Sequence, residues 1–180
     1  MRQLLLLRHA KSSWDDPKLS DHARPLNPRG RKSASAMRRA MLDLGLAPDI
    51  VLVSSARRTL QTLEALEPWD EQPLIEPMDG LYLADAAQLL AVLRQVSETA
   101  RFVLLIGHNP GLHDLAMLLV GAAAMSHGGE QSPNISRLAE GYPTGALTEF
   151  SIAGPWSQLG EGGGRLLRFL APRDLPELAA

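Results

Sequence analysis

The chain has no cysteine. A disulfide framework, a thiolate metal site and a cysteine nucleophile are thereby excluded. It also has no long apolar run: nothing approaches the ~20 consecutive apolar residues of a membrane span. The apolar run at the N-terminus, Leu4–Leu7, gives way at once to Arg8-His9-Ala10-Lys11, which is too short and too polar for a signal peptide. A cytoplasmic protein is the expectation. Positive charge is not in excess: the formal net charge is −2, which argues against nucleic-acid binding by bulk electrostatics. Three catalytic signatures are missing as well. There is no Gly-x-x-x-x-Gly-Lys-Ser/Thr phosphate loop, no His-Glu-x-x-His metal motif and no Gly-x-Ser-x-Gly elbow. His108 and His113 are poorly spaced to share a metal, and Gly128-Gly129 and Gly162-Gly163-Gly164 read as loop rather than phosphate cradle. No repeat or linker interrupts the chain, and its 180 residues fit one domain, 1–180.

What is present is an alternation of short apolar runs and helical patterns. The run at residues 3–8 reads as a strand buried on both faces. A polar loop, 12–26, follows. Asn27 is placed to cap a helix that has Pro28 at its first position and Gly45 at its end. Ile50–Val53 is the second strand, and a helix through Leu60, Leu63 and Leu66 stops before Pro68. Pro73–Glu76 is a short strand candidate. A helix is expected from about Asp85 to Glu98, a strand at Phe102–Ile106, and a helix carrying Leu115, Leu118 and Leu119. Residues 121–145 read as a long surface loop with one helical turn near Ile135–Ala139. Ala146–Ile152 and Arg165–Leu170 read as neighbouring antiparallel strands, because their connection is too glycine-rich for a crossover helix. The tail after about 172 is expected to be loose. This order implies an α/β protein, a three-layer α/β/α sandwich around a mostly parallel mixed sheet.

Three of these strands end in groups suited to the same chemistry. They are Arg8 and His9, then Arg57 and Arg58, then His108. Ligands of open α/β sheets bind beyond the carboxyl ends of the strands, so a shared edge would gather these groups. Guanidinium forks match phosphoryl oxygens, an imidazole can attack phosphorus, and cationic donors stabilise the transferring group. Such a site needs no metal and no cofactor.

Arg8-His9-Ala10 resembles the Arg-His-Gly signature of the histidine phosphatase superfamily, with alanine where glycine is usual. Ser54 through Thr62 (SSARRTLQT) resembles its second motif, and the register selects Arg58 rather than Arg57. Gly107-His108-Asn109-Pro110-Gly111 is similar to its second-histidine motif. Arg-His-Ala-Lys-Ser-Ser-Trp, Arg24-Pro25-Leu26, Arg29-Gly30 and Pro143-Thr144-Gly145-Ala146-Leu147 resemble the small phosphohistidine phosphatase, SixA-like, branch. The resemblance covers residues 2 to about 152. It implies a phosphoglycerate mutase-like fold, a phosphohistidine intermediate on His9, no metal, and as partner a phosphohistidine protein or a small phosphate ester. The family often places a glutamate before a Leu-Tyr-like pair as proton donor. Here Gly80 precedes Leu81-Tyr82, and Asp79 beside it is the donor candidate.

Lys11 and Ser12 follow the histidine and are candidates for touching phosphate. Asn109 is read as shaping the turn into its helix, and Arg24 as a surface ion pair that could instead brace the site. His22, His113 and His127 are read as structural or exposed. Trp14 and Trp156 are read as packing residues, with Trp14 placed to wall a pocket. A mutase is disfavoured because no further basic cluster for a second phosphate is evident. A non-catalytic phosphoprotein-binding module is the rival from another class.

Overall fold

Leu4–Leu7 are buried on both sides because their strand lies inside the sheet. The computed structural model describes residues 1–128 and 132–178. Six strands, β1 (Arg2–Arg8), β2 (Ile50–Ser54), β3 (Leu74–Met78), β4 (Phe102–Gly107), β5 (Leu147–Ile152) and β6 (Gly164–Leu170), pair in the order β3-β2-β4-β1-β5-β6. The first four are mutually parallel; β5 runs antiparallel to β1, and β6 antiparallel to β5. Alternation sorts the central strands between two cores. Leu4, Leu6, Leu52, Val103 and Leu105 face one, and Leu5, Leu7, Val51, Val53, Leu104 and Ile106 face the other.

Helices cover both faces. Helices α1 (Pro28–Asp43) and α2 (Arg57–Leu66) pack on one; α3 (Ala86–Arg94), α4 (Gly111–Val120) and α6 (Pro133–Glu140) pack on the other. The chain steps outward from β1 to β2 to β3, then returns to insert β4 between β1 and β2. Right-handed crossovers put helices on opposite faces when the direction of winding reverses. That reversal brings the carboxyl ends of β1, β2 and β4 side by side.

Local chemistry sets the boundaries. Asn27 Oδ1 accepts the Gly30 N–H (2.8 Å), and Asp85 with Gln88 forms a reciprocal capping box on α3. Helix α3 stops at Arg94 rather than running to Glu98. The Glu98 carboxylate instead accepts the backbone N–H groups of Trp156 and Ser157 (3.0 and 2.9 Å). Trp156 packs as expected, fully buried, its indole N–H on the Ala100 carbonyl (2.8 Å).

Two expectations are corrected. The segment 121–145 is not a long loop with a single turn: it holds α5 (Ala122–Gly128) and α6, and the turn expected at Ile135–Ala139 lies within α6. Helix α6 is anchored by buried Leu138, and the His113 ring bonds its Leu138 carbonyl (2.7 Å). The tail is packed rather than loose as far as it is described. Leu175 is buried in the α1/α2 core, and Asp174 pairs with Arg137 and accepts the Ala171 N–H. The His127 side chain, Gly129 and the last two residues of the tail lie outside the described residues. Among the described residues, no helix is long and apolar enough to cross a membrane.

Candidate active site

The strand β1 delivers His9 one residue past its end, and the backbone there is tied from three sides. The His9 N–H donates to the Gly107 carbonyl (3.1 Å), and Gly145 N–H donates to the His9 carbonyl (2.9 Å). The next amide, Ala10 N–H, donates to Thr62 Oγ1 of α2 (3.0 Å), whose own hydroxyl donates to the Arg58 carbonyl (2.7 Å). Gly30 is obligatory for this packing, since a Cβ there would sit 2.1 Å from the Lys11 carbonyl oxygen. Gly111 plays the same part at α4, where a Cβ would meet the Ala84 oxygen at 1.9 Å.

Four expected residues meet here. Arg8, His9, Arg58 and His108 line one open cavity of about 340 Å³, together with Lys11, Ser12, Asp21 and Arg24. The two imidazoles lie 5.3 Å apart, centroid to centroid. His9 Nδ1 lies 2.8 Å from the Ala10 carbonyl, an acceptor only, so Nδ1 carries the proton and Nε2 keeps its lone pair. Arg58 Nη2, a donor only, lies 3.4 Å from His108 Nδ1, so His108 carries its proton on Nε2 and donates it to Ser54 Oγ (2.7 Å). Arg8 Nη1 donates to the Tyr142 carbonyl (2.9 Å), which also takes the Asn109 amide (2.9 Å).

Arg58 is 3% exposed and reaches Asp21 twice, through its carbonyl (2.7 Å) and its carboxylate (3.0 Å). Arg57 is exposed and makes only a long 3.5 Å bond to the Ala23 carbonyl. Arg24 is a correction: it is buried, not a surface ion pair. Its guanidinium holds Asp21 (2.9 Å), Ser12 Oγ (2.5 Å) and the Ser13 carbonyl (3.0 Å), and lies over the exposed Trp14 ring at the cavity wall. Asp79 is a second correction. It opens the short turn Asp79–Leu81, its side chain is exposed, and it is absent from the cavity lining.

Asp21, Tyr82 and Ser54 escaped the sequence reading. Tyr82 donates to Asp21 Oδ2 (2.5 Å) and stands edge-on to both His108 (5.5 Å) and His22 (4.8 Å). The Tyr82 hydroxyl, then the Arg24 and Arg58 guanidiniums, hold the Asp21 carboxyl well below the usual carboxylate range. Ser54 lay inside the second motif and could have been found there. Asp21 and Tyr82 had no periodicity to mark them.

Burial, reinforced by the Arg58 charge, lowers His9 to about 4. Burial, then the neighbouring His9 and Arg58, lowers His108 to about 3. Both rings are therefore neutral at physiological pH. Lowered folded-state values mean that the unfolded chain binds protons first, so this contribution to stability is present above pH ~6.5. It is lost as the pH falls from there toward about 4 for His9 and about 3 for His108. An NMR titration of the ring carbon-bound protons is expected to show both histidines flat from pH 8 to pH ~5.5. Either one titrating near 6.5 would show that its ring is not desolvated.

A parallel-edge pocket with three arginines, two neutral imidazoles and a free ring nitrogen is the site of a phosphoryl-transferring hydrolase, a phosphatase. The chain belongs to the histidine phosphatase superfamily, in its SixA-like branch. The model of the histidine phosphatase superfamily (branch 1) matches residues 4–81. An uncharacterized Mycobacterium tuberculosis protein is 31% identical over 170 residues, covering 93% of this chain and 100% of that one. An uncharacterized chloroplastic protein of Arabidopsis thaliana is 33% identical over 135 residues; the match spans 68% of this chain but only 61% of that one. The structure of a candidate SixA phosphohistidine phosphatase from Nakamurella multipartitia superposes with a TM-score of 0.81 at 29% identity, covering 95% of this chain and 96% of that one. The corresponding Agrobacterium tumefaciens structure gives 0.76 at 27% identity, with 95% and 98% covered.

Proposed function

We propose that this protein is a metal-independent phosphatase that takes a phosphoryl group onto His9 Nε2 and passes it to water, acting on phosphohistidine in proteins. The observation that carries the reading is the fixed tautomer of His9. With Nδ1–H spent on the Ala10 carbonyl, the only lone pair on the ring is on Nε2, among the cations of the cavity. In the first step Nε2 attacks phosphorus, the new N–P bond forms, and the bond to the leaving group breaks with its electron pair. Arg8 and Arg58 bear the charge on the equatorial oxygens. In the second step water attacks the same phosphorus, the N–P bond breaks, and inorganic phosphate and neutral His9 are released. Arg58 must exchange Asp21 for the incoming phosphoryl oxygens. The arginine fork keeps an anion in either state.

The substrate class follows from the donor. Among the described residues, Asp21 is the only carboxylate lining the cavity, and Tyr82, Arg24 and Arg58 hold it ionised. It has no proton to give near neutral pH. A leaving imidazole is protonated from solvent more readily than an alkoxide, so phosphohistidine asks least of this site. The names of the SixA-like neighbours favour the same reading.

The test is a panel of a phosphohistidine peptide, an activated aryl phosphate and an alkyl phosphate, assayed with and without EDTA. The expected order is peptide first, aryl ester next and alkyl ester far behind, with no effect of the chelator. No group of three or more His, Asp or Glu side chains among the described residues is arranged to hold a metal. An alkyl ester turned over best, or activity lost to EDTA and restored by a divalent ion, would overturn the reading. Binding without turnover of any of the three would favour a phosphoprotein-binding module.

A further inference from the structure

A second hollow of about 220 Å³ opens beside the first and shares two of its walls, Lys11 and Thr144. Its remaining lining brings together points far apart in the chain. Arg29 and Ser33 come from the first turns of α1, Pro143 from the loop before β5, and Arg173 from the turn Pro172–Asp174. Gly145 lets these segments meet: it has φ +76°, and a Cβ there would approach the Pro172 ring at 3.0 Å.

The charge of this hollow is one-sided. Lys11, Arg29 and Arg173 are exposed cations, and among the described residues no acidic side chain lines the hollow. Among those residues, too, none of the three cations is held by an ion pair or by a side-chain hydrogen bond. The carboxylate nearest in sequence to Arg173, Asp174, is hydrogen-bonded to Arg137 and to the Ala171 N–H and feels Arg173 only as the weakest of the charges that lower it. The amino end of a 16-residue helix adds its positive potential from the same side. Hydroxyls of Ser33 and Thr144 supply neutral donors. The further basic cluster that the sequence did not reveal is therefore present, assembled by the fold.

We propose that this hollow is a second anion subsite, and that the substrate carries, besides its phosphoryl group, a carboxylate or a second phosphate that settles between Lys11, Arg29 and Arg173. The proposal rests on the phosphatase reading and adds to it a determinant of specificity. The same anion could belong to a small molecule or to an acidic side chain beside a phosphohistidine.

The experiment uses competitive inhibition of aryl phosphate turnover by a series of ω-carboxyalkylphosphonates of increasing length, each against its methyl ester. One chain length is expected to bind about tenfold better as the free acid at low salt, with the gain shrinking in 0.5 M salt, as exposed charge pairs do. In Arg29→Ala/Arg173→Ala the gain is expected to vanish, while the methyl esters inhibit as before; both arginines are exposed, so the fold should persist. A second arm compares phosphohistidine peptides with Glu or Gln flanking the histidine. A gain in the phosphonate arm alone assigns the anion to a small substrate, and a gain in the peptide arm alone assigns it to a protein segment. Normal turnover with no gain in either arm, or a gain that survives the double substitution, overturns the subsite. No turnover of any ester by the unaltered protein would instead remove the phosphatase reading, and the subsite with it.

Discussion

Replacing His9 with alanine is expected to lower kcat/KM for an activated aryl phosphate by ~10⁴-fold or more, the scale seen when a covalent nucleophile is deleted. An activated ester isolates this step because it supplies its own good leaving group and needs no proton donor. What survives is the charge stabilisation by Arg8 and Arg58, which can still favour slow attack by water. The loss should fall on kcat, with the binding of phosphate or tungstate largely retained, since the guanidiniums that hold the anion are untouched. His9 is buried beside packed backbone. Thermal unfolding of the variant therefore accompanies the assay, to separate lost chemistry from lost structure. Loss of less than ~10²-fold in a folded variant would mean that water attacks the substrate directly and His9 only assists.

Arg58→Ala is expected to lower kcat by ~10²–10³-fold, the range for removing one donor aimed at developing charge. Arg57→Ala should stay within about twofold of the unaltered protein. The two residues are adjacent on α2, where successive side chains point about 100° apart, so one can face the cavity and the other cannot. Arg58 lines the cavity and reaches His108 and Asp21, whereas Arg57 reaches only the Ala23 carbonyl at 3.5 Å. Arg58→Lys should recover little, because an ammonium keeps the charge but cannot fork onto two phosphoryl oxygens. Some of the effect of Arg58→Ala will come through the loop that carries Asp21, so phosphate affinity is measured beside rate. Equal losses at 57 and 58 would show that both arginines act on the site together.

The strand ends were legible because they are local. An apolar run that stops in Arg8-His9, or in Gly107-His108, announces both the strand and the group it presents. The parallel sheet brings those ends together without any further information. What the sequence hid depends on contacts between distant segments. Asp21 looks like any loop carboxylate until Arg58, Arg24 and Tyr82 close on it. Arg24 reads as surface because nothing nearby in the chain says that Asp21 and Trp14 will cover it. Of the helix α6 only one turn, Ile135–Ala139, is legible in the sequence, because the helix is short and half polar, with one fully buried residue, Leu138, to hold it. The tail looked loose because its anchors, Leu175 and Asp174, find their partners in α1 and α6. The place of Asp79 before Leu81-Tyr82 marks it as a donor candidate, but the turn there offers Tyr82, not the carboxylate, to the neighbourhood of His108.

A covalent phosphoryl group on His9 can be trapped chemically. The protein is mixed with an activated phosphoryl donor, quenched during turnover under alkaline conditions, and examined by intact and peptide mass spectrometry. The expected result is the added mass of one phosphoryl group, acid-labile, on the peptide that holds His9 and absent from His9→Ala. Steady turnover with no such adduct, or the group found on His108 instead, would contradict it.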